Sequence, residues 1–182
     1  YCIVNRFHTM DQILMRMLKD SNNLYAESMY YQLAAATGSR PATAKHARAA
    51  ERVLLRKVGL NPANYRLADG SGLSLYNYLS AEAEVKLLRY AYQNDNIFHH
   101  LYQALPIAGV DGTLKKRMRS TFARNNVRAK TGTLTGISSL AGYCKAANGH
   151  WLCFAIINQG VMHARNAKNF QNRVCTILCA PN

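Results

Sequence analysis

Apolar positions fall into two regimes along the chain. Up to about residue 105 they recur every three or four residues, the period of a helix face. From about Val127 they run in strand-sized blocks broken by turn-formers.

Thr9 and Gln12 form a capping box ahead of Ile13, Leu14, Met17 and Leu18, which predicts a helix ending near Lys19, where Asp20, Ser21, Asn22 and Asn23 are turn-formers. A second helix is expected with Leu24, Met29, Tyr30 and Leu33 inward and Gly38 as terminator. A third starts near Pro41 and runs through Val53 and Leu54 to Gly59, with Lys45, Arg48, Arg52 and Arg56 on its outer face. Asp69-Gly70-Ser71-Gly72 reads as a tight loop. Ser80 caps a helix carrying Glu82 and Glu84 in its first turn and Val85, Leu88 and Tyr92 inward. A short helical piece through Phe98 and Leu101 ends at Leu105-Pro106.

Strands are predicted over 127–133, 138–145 and 150–158, the last two joined around Asn148-Gly149, a strong hairpin signal. From His163 a closing helix is expected to lay Ala164, Ala167, Phe170, Val174, Ile177 and Leu178 on the sheet. The reading is one domain of α/β class, helices first, then an antiparallel sheet, then a packed helix.

Composition leaves this picture unchanged. Hydrophobic residues at 49% and charged residues at 18% suit a folded chain. No apolar run approaches the roughly 20 residues that span a bilayer. The net charge of +14 favours anionic partners, but the basic residues are scattered. The one dense run, Lys115, Lys116, Arg117 and Arg119, has no nucleic-acid-binding signature beside it, so no nucleic-acid partner is expected. Five cysteines (Cys2, Cys144, Cys153, Cys175 and Cys179) leave at least one unpaired within the chain, and their spacing builds no zinc site. They read as small buried apolar residues. The opening Tyr1 and YCIVNRF have no leader character, and the expectation is a cut within a longer protein.

Two triplets carry candidate chemistry: Ser21-Asn22-Asn23, an S-x-N, and Lys130-Thr131-Gly132, a K-T-G. Chance supplies the first in about half of chains this long and the second in roughly one in twenty, so the second is more specific. A strand-edge lysine offers a positive charge to a carboxylate, and the Thr131 hydroxyl can bond the same group. Gly132 lets a substrate backbone lie against the strand, and the Thr133 N–H is placed to stabilise an oxyanion. Ser21 can relay a proton to a leaving amine while the Asn23 amide holds a peptide carbonyl. Taken singly, Ser21 and Asn23 also suit helix capping, and Lys130 a solvated strand position.

The longer strings LKDSNNLYAES, LADGSGLSLYN, LPIAGVDGTLKKRM and VRAKTGTLTGISSLAGYC follow one another in order. The chain resembles, from about Met10 to the closing helix, the class C low-molecular-mass penicillin-binding proteins of the D-Ala-D-Ala carboxypeptidase/endopeptidase family (peptidase family S13). Class A β-lactamases share the triplets but not these strings. The resemblance implies the C-terminal part of the penicillin-binding protein/β-lactamase-like serine transpeptidase fold. It also implies an acyl-enzyme mechanism on peptidoglycan stem peptides, inhibition by β-lactams, no cofactor or metal, and a periplasmic location. Ser21, Asn23 and Lys130 would be catalytic, and Thr131, Gly132 and Thr133 would bind substrate.

Two features depart from the pattern. No S-x-x-K, which in that family supplies the nucleophile and its base, occurs in the sequence. Thr113-Leu114-Lys115-Lys116 has the spacing but belongs to the AGVDGTL segment. The nucleophile is therefore expected upstream in a parent protein, this chain alone being inactive, with apolar surface exposed on its helical side, so that it is expected either to dimerise or to be marginally stable alone. Leu75 stands where many relatives have an arginine that grips diaminopimelate, which puts the stem-peptide preference in question. A non-catalytic peptidoglycan-binding protein with a degenerate site is the alternative; a cationic nucleic-acid binder ranks below it. Asp111 and the Asp69-Gly70-Ser71-Gly72 loop are read as shaping the floor of the site, with Asp69 bonding backbone N–H groups of its own turn rather than substrate.

Overall fold

The computed structural model describes residues 3–4 and 6–181. Cys2 and Tyr1 lie outside them. The helices are α1 (Met10–Lys19), α2 (Asn23–Ala36), α3 (Ala44–Lys57), α4 (Ala81–Tyr92), α5 (Asp95–Ala104) and α6 (Ala164–Cys179). The strands are β1 (Arg128–Leu134), β2 (Ile137–Lys145) and β3 (Trp151–Gln159). They pair antiparallel in the order β1-β2-β3, within a residue of the predicted bounds. The Thr9–Gln12 capping box starts α1, and Ser80 caps α4 by accepting from the Ala83 N–H.

Alternation along β2 divides the interior. Ser138, Leu140, Gly142 and Cys144 are buried on the face that α6 covers, where Leu140 and Cys144 join Ala129, Val127, Leu114, Cys175 and Cys179 in the main core. Each large aliphatic side chain enclosed there contributes about 2 kcal/mol. Tyr143 points to the other face, where its hydroxyl donates to the Leu88 carbonyl of α4 and its ring meets Phe98 of α5 edge-on.

The helix faces differ in part from the sequence expectation. On α2, Leu24 (73% exposed) and Leu33 face outward, and Tyr30 and Ala34 are the buried pair. On α3, Val53 and Leu54 are exposed while Ala47 and Leu55 are buried. On α6, Phe170 and Ile177 are exposed; the buried row is Ala167, Gln171, Cys175 and Cys179. Small residues permit close approach of backbones, which outweighs the area lost by exposing a leucine. Gln171 is tolerated because its polar atoms are satisfied. Its amide donates to Ser138 Oγ (3.2 Å) and Asn158 Oδ1 (3.0 Å), and its Oε1 accepts from Arg117 Nη2 (3.0 Å).

Candidate active site

The S-x-N turn connects α1 to α2. The Asn22 side chain is the N-cap of α2, accepting from the Tyr25 N–H, so the middle residue of the triplet is structural. Ser21 adopts φ +53°, a left-handed conformation that a side chain makes costly. A glycine would take that angle freely but would bring no hydroxyl. This hydroxyl accepts from Lys130 Nζ at 2.7 Å, joining positions 109 residues apart in sequence. Lys130 Nζ also donates to the Thr131 carbonyl at 2.6 Å. Burial lowers the Lys130 pKa below the ordinary lysine value.

β1 is an edge strand. The Ala129 N–H donates to the Pro106 carbonyl (3.0 Å), away from β2. Alternation turns the Thr131 and Thr133 N–H groups to the same edge, beyond the stretch that residues 106–108 cover. Gly132 pairs with Ser139 of β2, and a Cβ at 132 would overlap the Ser139 hydroxyl. The glycine leaves the surface beside Lys130 flat.

Ser21, Asn23, Lys130, Thr131, Gly132 and Thr133 all line one cleft of about 590 Å³. Its opposite wall is the DGSG loop. Gly70 packs so closely on α2 that a Cβ would come within 2.6 Å of the Ala26 carbonyl oxygen and of Tyr30 Cβ. Glu27 of α2 accepts from the Ser71 N–H at 2.8 Å. Asp69 serves its own turn, as expected: Oδ1 accepts from the Gly72 N–H and Asn77 Nδ2, and Oδ2 from the Ser74 N–H. Partial burial pushes its carboxyl upward, but these hydrogen bonds outweigh that and hold it below its usual range. Leu75 is 88% exposed and does not line the cleft.

Sequence reasoning missed the clamp behind the site. Lys19, at the end of α1, donates to Asp111 Oδ2 (2.6 Å) and to the Leu105 carbonyl (3.0 Å). Asp111 Oδ1 accepts from the Ile107 N–H (2.8 Å). Two residues on, Thr113 Oγ1 accepts from the Thr131 hydroxyl at 3.0 Å. One loop thus ties the helix before Ser21 to the strand of Lys130. The Lys19 side chain is only 16% exposed, whereas Asp111 keeps 35%. Asp111→Ala strands a largely buried ammonium, and urea unfolding at neutral pH is expected to show a loss of about 2 kcal/mol, below the range for a fully sealed pair.

Two further carboxylates, Glu51 and Glu84, line the cleft, and each has a buried Oε2 without a hydrogen-bond partner. Burial pushes Glu51 up to about 7, and the Arg48 charge offsets only part of this. A raised carboxyl favours folding below its unfolded pKa of 4.5, loses that contribution as pH rises to about 7, and is level above. Screening at this partly solvated position reduces the effect to about 1 kcal/mol. Glu51→Gln is expected to raise stability by that amount at pH 8 and to leave it unchanged near pH 4.5. Thermal melts of both proteins across this range check it.

Comparison with known proteins follows the same pattern. A profile of the D-Ala-D-Ala carboxypeptidase 3 (S13) family matches residues 4–180. The D-alanyl-D-alanine carboxypeptidase DacB of Haemophilus influenzae is 38% identical over 144 residues, covering 78% of this chain and 30% of that protein. Carboxypeptidase DacB of Mycolicibacterium smegmatis is 37% identical over 150 residues, 80% of this chain and 32% of that protein. The crystal structure of penicillin binding protein 4 from Haemophilus influenzae, complexed with a β-lactam, aligns with a TM-score of 0.84 at 32% identity. That alignment covers 93% of this chain and 41% of that one. The chain therefore spans about a third of the length of the curated relatives it matches. Its helices on an antiparallel sheet are the fold of penicillin-binding and β-lactamase-like proteins. With a family profile matched over nearly all its length, the chain belongs to the D-Ala-D-Ala carboxypeptidase 3 (S13) family.

Proposed function

We propose that this chain forms the S-x-N and K-T-G half of a serine-type D-Ala-D-Ala carboxypeptidase/endopeptidase site acting on peptidoglycan stem peptides in the periplasm. The observation that carries this reading is the 2.7 Å bond from Lys130 Nζ to Ser21 Oγ beside the open edge of β1.

In the proposed reaction a serine outside these residues attacks the carbonyl of the penultimate D-alanine, giving an acyl-enzyme and releasing the terminal residue. Water then cleaves the ester. Lys130 holds the Ser21 hydroxyl so that its proton can pass to the leaving amine. The Thr133 N–H faces the position where the carbonyl oxygen gains charge. The Asn23 amide holds the substrate's peptide carbonyl, and the Thr131 hydroxyl turns from Thr113 to the substrate carboxylate. Gly132 lets the peptide lie along β1 as an added strand. The sequence contains no S-x-x-K, and its relatives are about three times as long, so the nucleophile is assigned to the remainder of a parent protein.

Intact-mass measurement after penicillin treatment tests this on the 182-residue chain and the complete gene product together. The expected result is one penicillin adduct on the complete protein and none on the chain. An adduct on neither would favour a non-catalytic peptidoglycan binder. An adduct on the chain would place the nucleophile among these residues.

A further inference from the structure

A second cavity, of about 340 Å³, lies against α3 and the segment that follows it. Its lining includes Arg48, Glu51 and Arg52 of α3 and Tyr65 and Arg66 from the far side. Among the ion pairs of the described residues, none uses Arg48, Arg52 or Arg66. Arg66 lies over the Tyr76 ring, 5.2 Å from its centre, which orients the guanidinium without neutralising it. Glu51 adds a buried oxygen with no partner. A buried polar atom left unsatisfied is a recognised mark of a missing ligand.

We propose that this cavity is a binding site for a phosphate group, carried either by a soluble phosphoester or by a lipid headgroup.

The charge balance selects the ligand class. A cation would suit Glu51 but would face three guanidinium groups. An anion engages all three. A planar carboxylate has two oxygens, which a single arginine fork satisfies; a tetrahedral phosphate has oxygens for guanidiniums approaching from both walls. Glu51, pushed up to about 7, is largely uncharged in mildly acidic solution and can then donate its proton to a remaining oxygen. The none-too-large cavity still leaves room for an ester substituent beside the phosphate. Glu51 borders both this cavity and the K-T-G cleft, but Arg48, Arg52 and Arg66 line only this cavity, so the arginine cluster stands whether or not the peptidase reading holds.

The test is calorimetric titration of the complete gene product with inorganic phosphate and pyrophosphate, beside co-sedimentation with phosphatidylglycerol vesicles. Arg52 and Arg66 are exposed, so Arg52→Gln and Arg66→Gln should fold normally, which thermal melts check. Each is expected to weaken binding at least about tenfold. Glu51→Gln, which keeps a donor and removes the acid, should bind as well as the native protein or better. Lys115→Gln with Lys116→Gln removes two charges outside the cavity and should change binding less than about twofold.

Loss of both phosphate and vesicle binding in the arginine variants would identify a headgroup site. Loss of phosphate binding, with no vesicle binding by the native protein, would identify a soluble phosphoester. The proposal is overturned if neither probe binds the native protein, or if the lysine variant weakens binding as much as the arginine variants, the signature of net charge alone.

Discussion

Lys130→Ala in the complete gene product is expected to slow penicillin acylation by about 1,000-fold without unfolding the protein. The ammonium is partly buried and its charge is disfavoured there, so its removal costs little stability. What is lost is the donor that fixes the Ser21 hydroxyl and the charge at the edge of β1. Ser21→Gly separates function from stability at the same contact. Relief of the left-handed serine should stabilise the fold by about 1 kcal/mol. Acylation should nevertheless fall as it does in the lysine variant, because the hydroxyl proposed as the proton relay is gone. Stopped-flow acylation with a labelled penicillin, paired with urea unfolding, measures both. A rate loss below tenfold for Lys130→Ala would remove that residue from the chemistry.

Gly142→Ala is expected to have the largest effect on stability, a loss of about 3 kcal/mol. Gly142 lies in the middle of β2 opposite Ala129. A Cβ there would overlap the Arg128 carbonyl oxygen and come within 2.5 Å of Ala129 Cα. Those are backbone atoms, which cannot rotate aside as the Ser139 hydroxyl can beside Gly132. β1 must then move away from β2, and the strand that moves is the one bearing the K-T-G triplet. Thermal unfolding of the variant gives the magnitude. Weaker amide-exchange protection confined to β1 and β2 would locate it, whereas native-like protection there would show that the strands accommodate the methyl group.

The strands, the caps and the two triplets were legible in the sequence because each is encoded locally. Alternation and the Asn148-Gly149 turn placed β2 and β3, and Thr9 with Gln12 marked the start of α1. Asp69 was likewise readable, since its partners lie within eight residues. Helix faces were less so. Periodicity ranks positions by hydrophobicity, but burial follows the neighbour that arrives. Ala34 and Ala47 are buried where helices touch, while Leu24 and Val53 are left outside. Gln171 is buried because Arg117, Ser138 and Asn158 come to it from separate elements.

The site divides in the same way. The sequence by itself determined which side chains are proposed to bring chemistry: a serine, an asparagine and a lysine in two short triplets. Only the tertiary structure decided that Lys130 meets Ser21, that Lys19 meets Asp111 across 92 positions, and that Arg66 stands across a cavity from Arg48 and Arg52. Such contacts depend on how helices and sheet pack, and packing is fixed by the summed fit of many side chains rather than by any one segment of the chain.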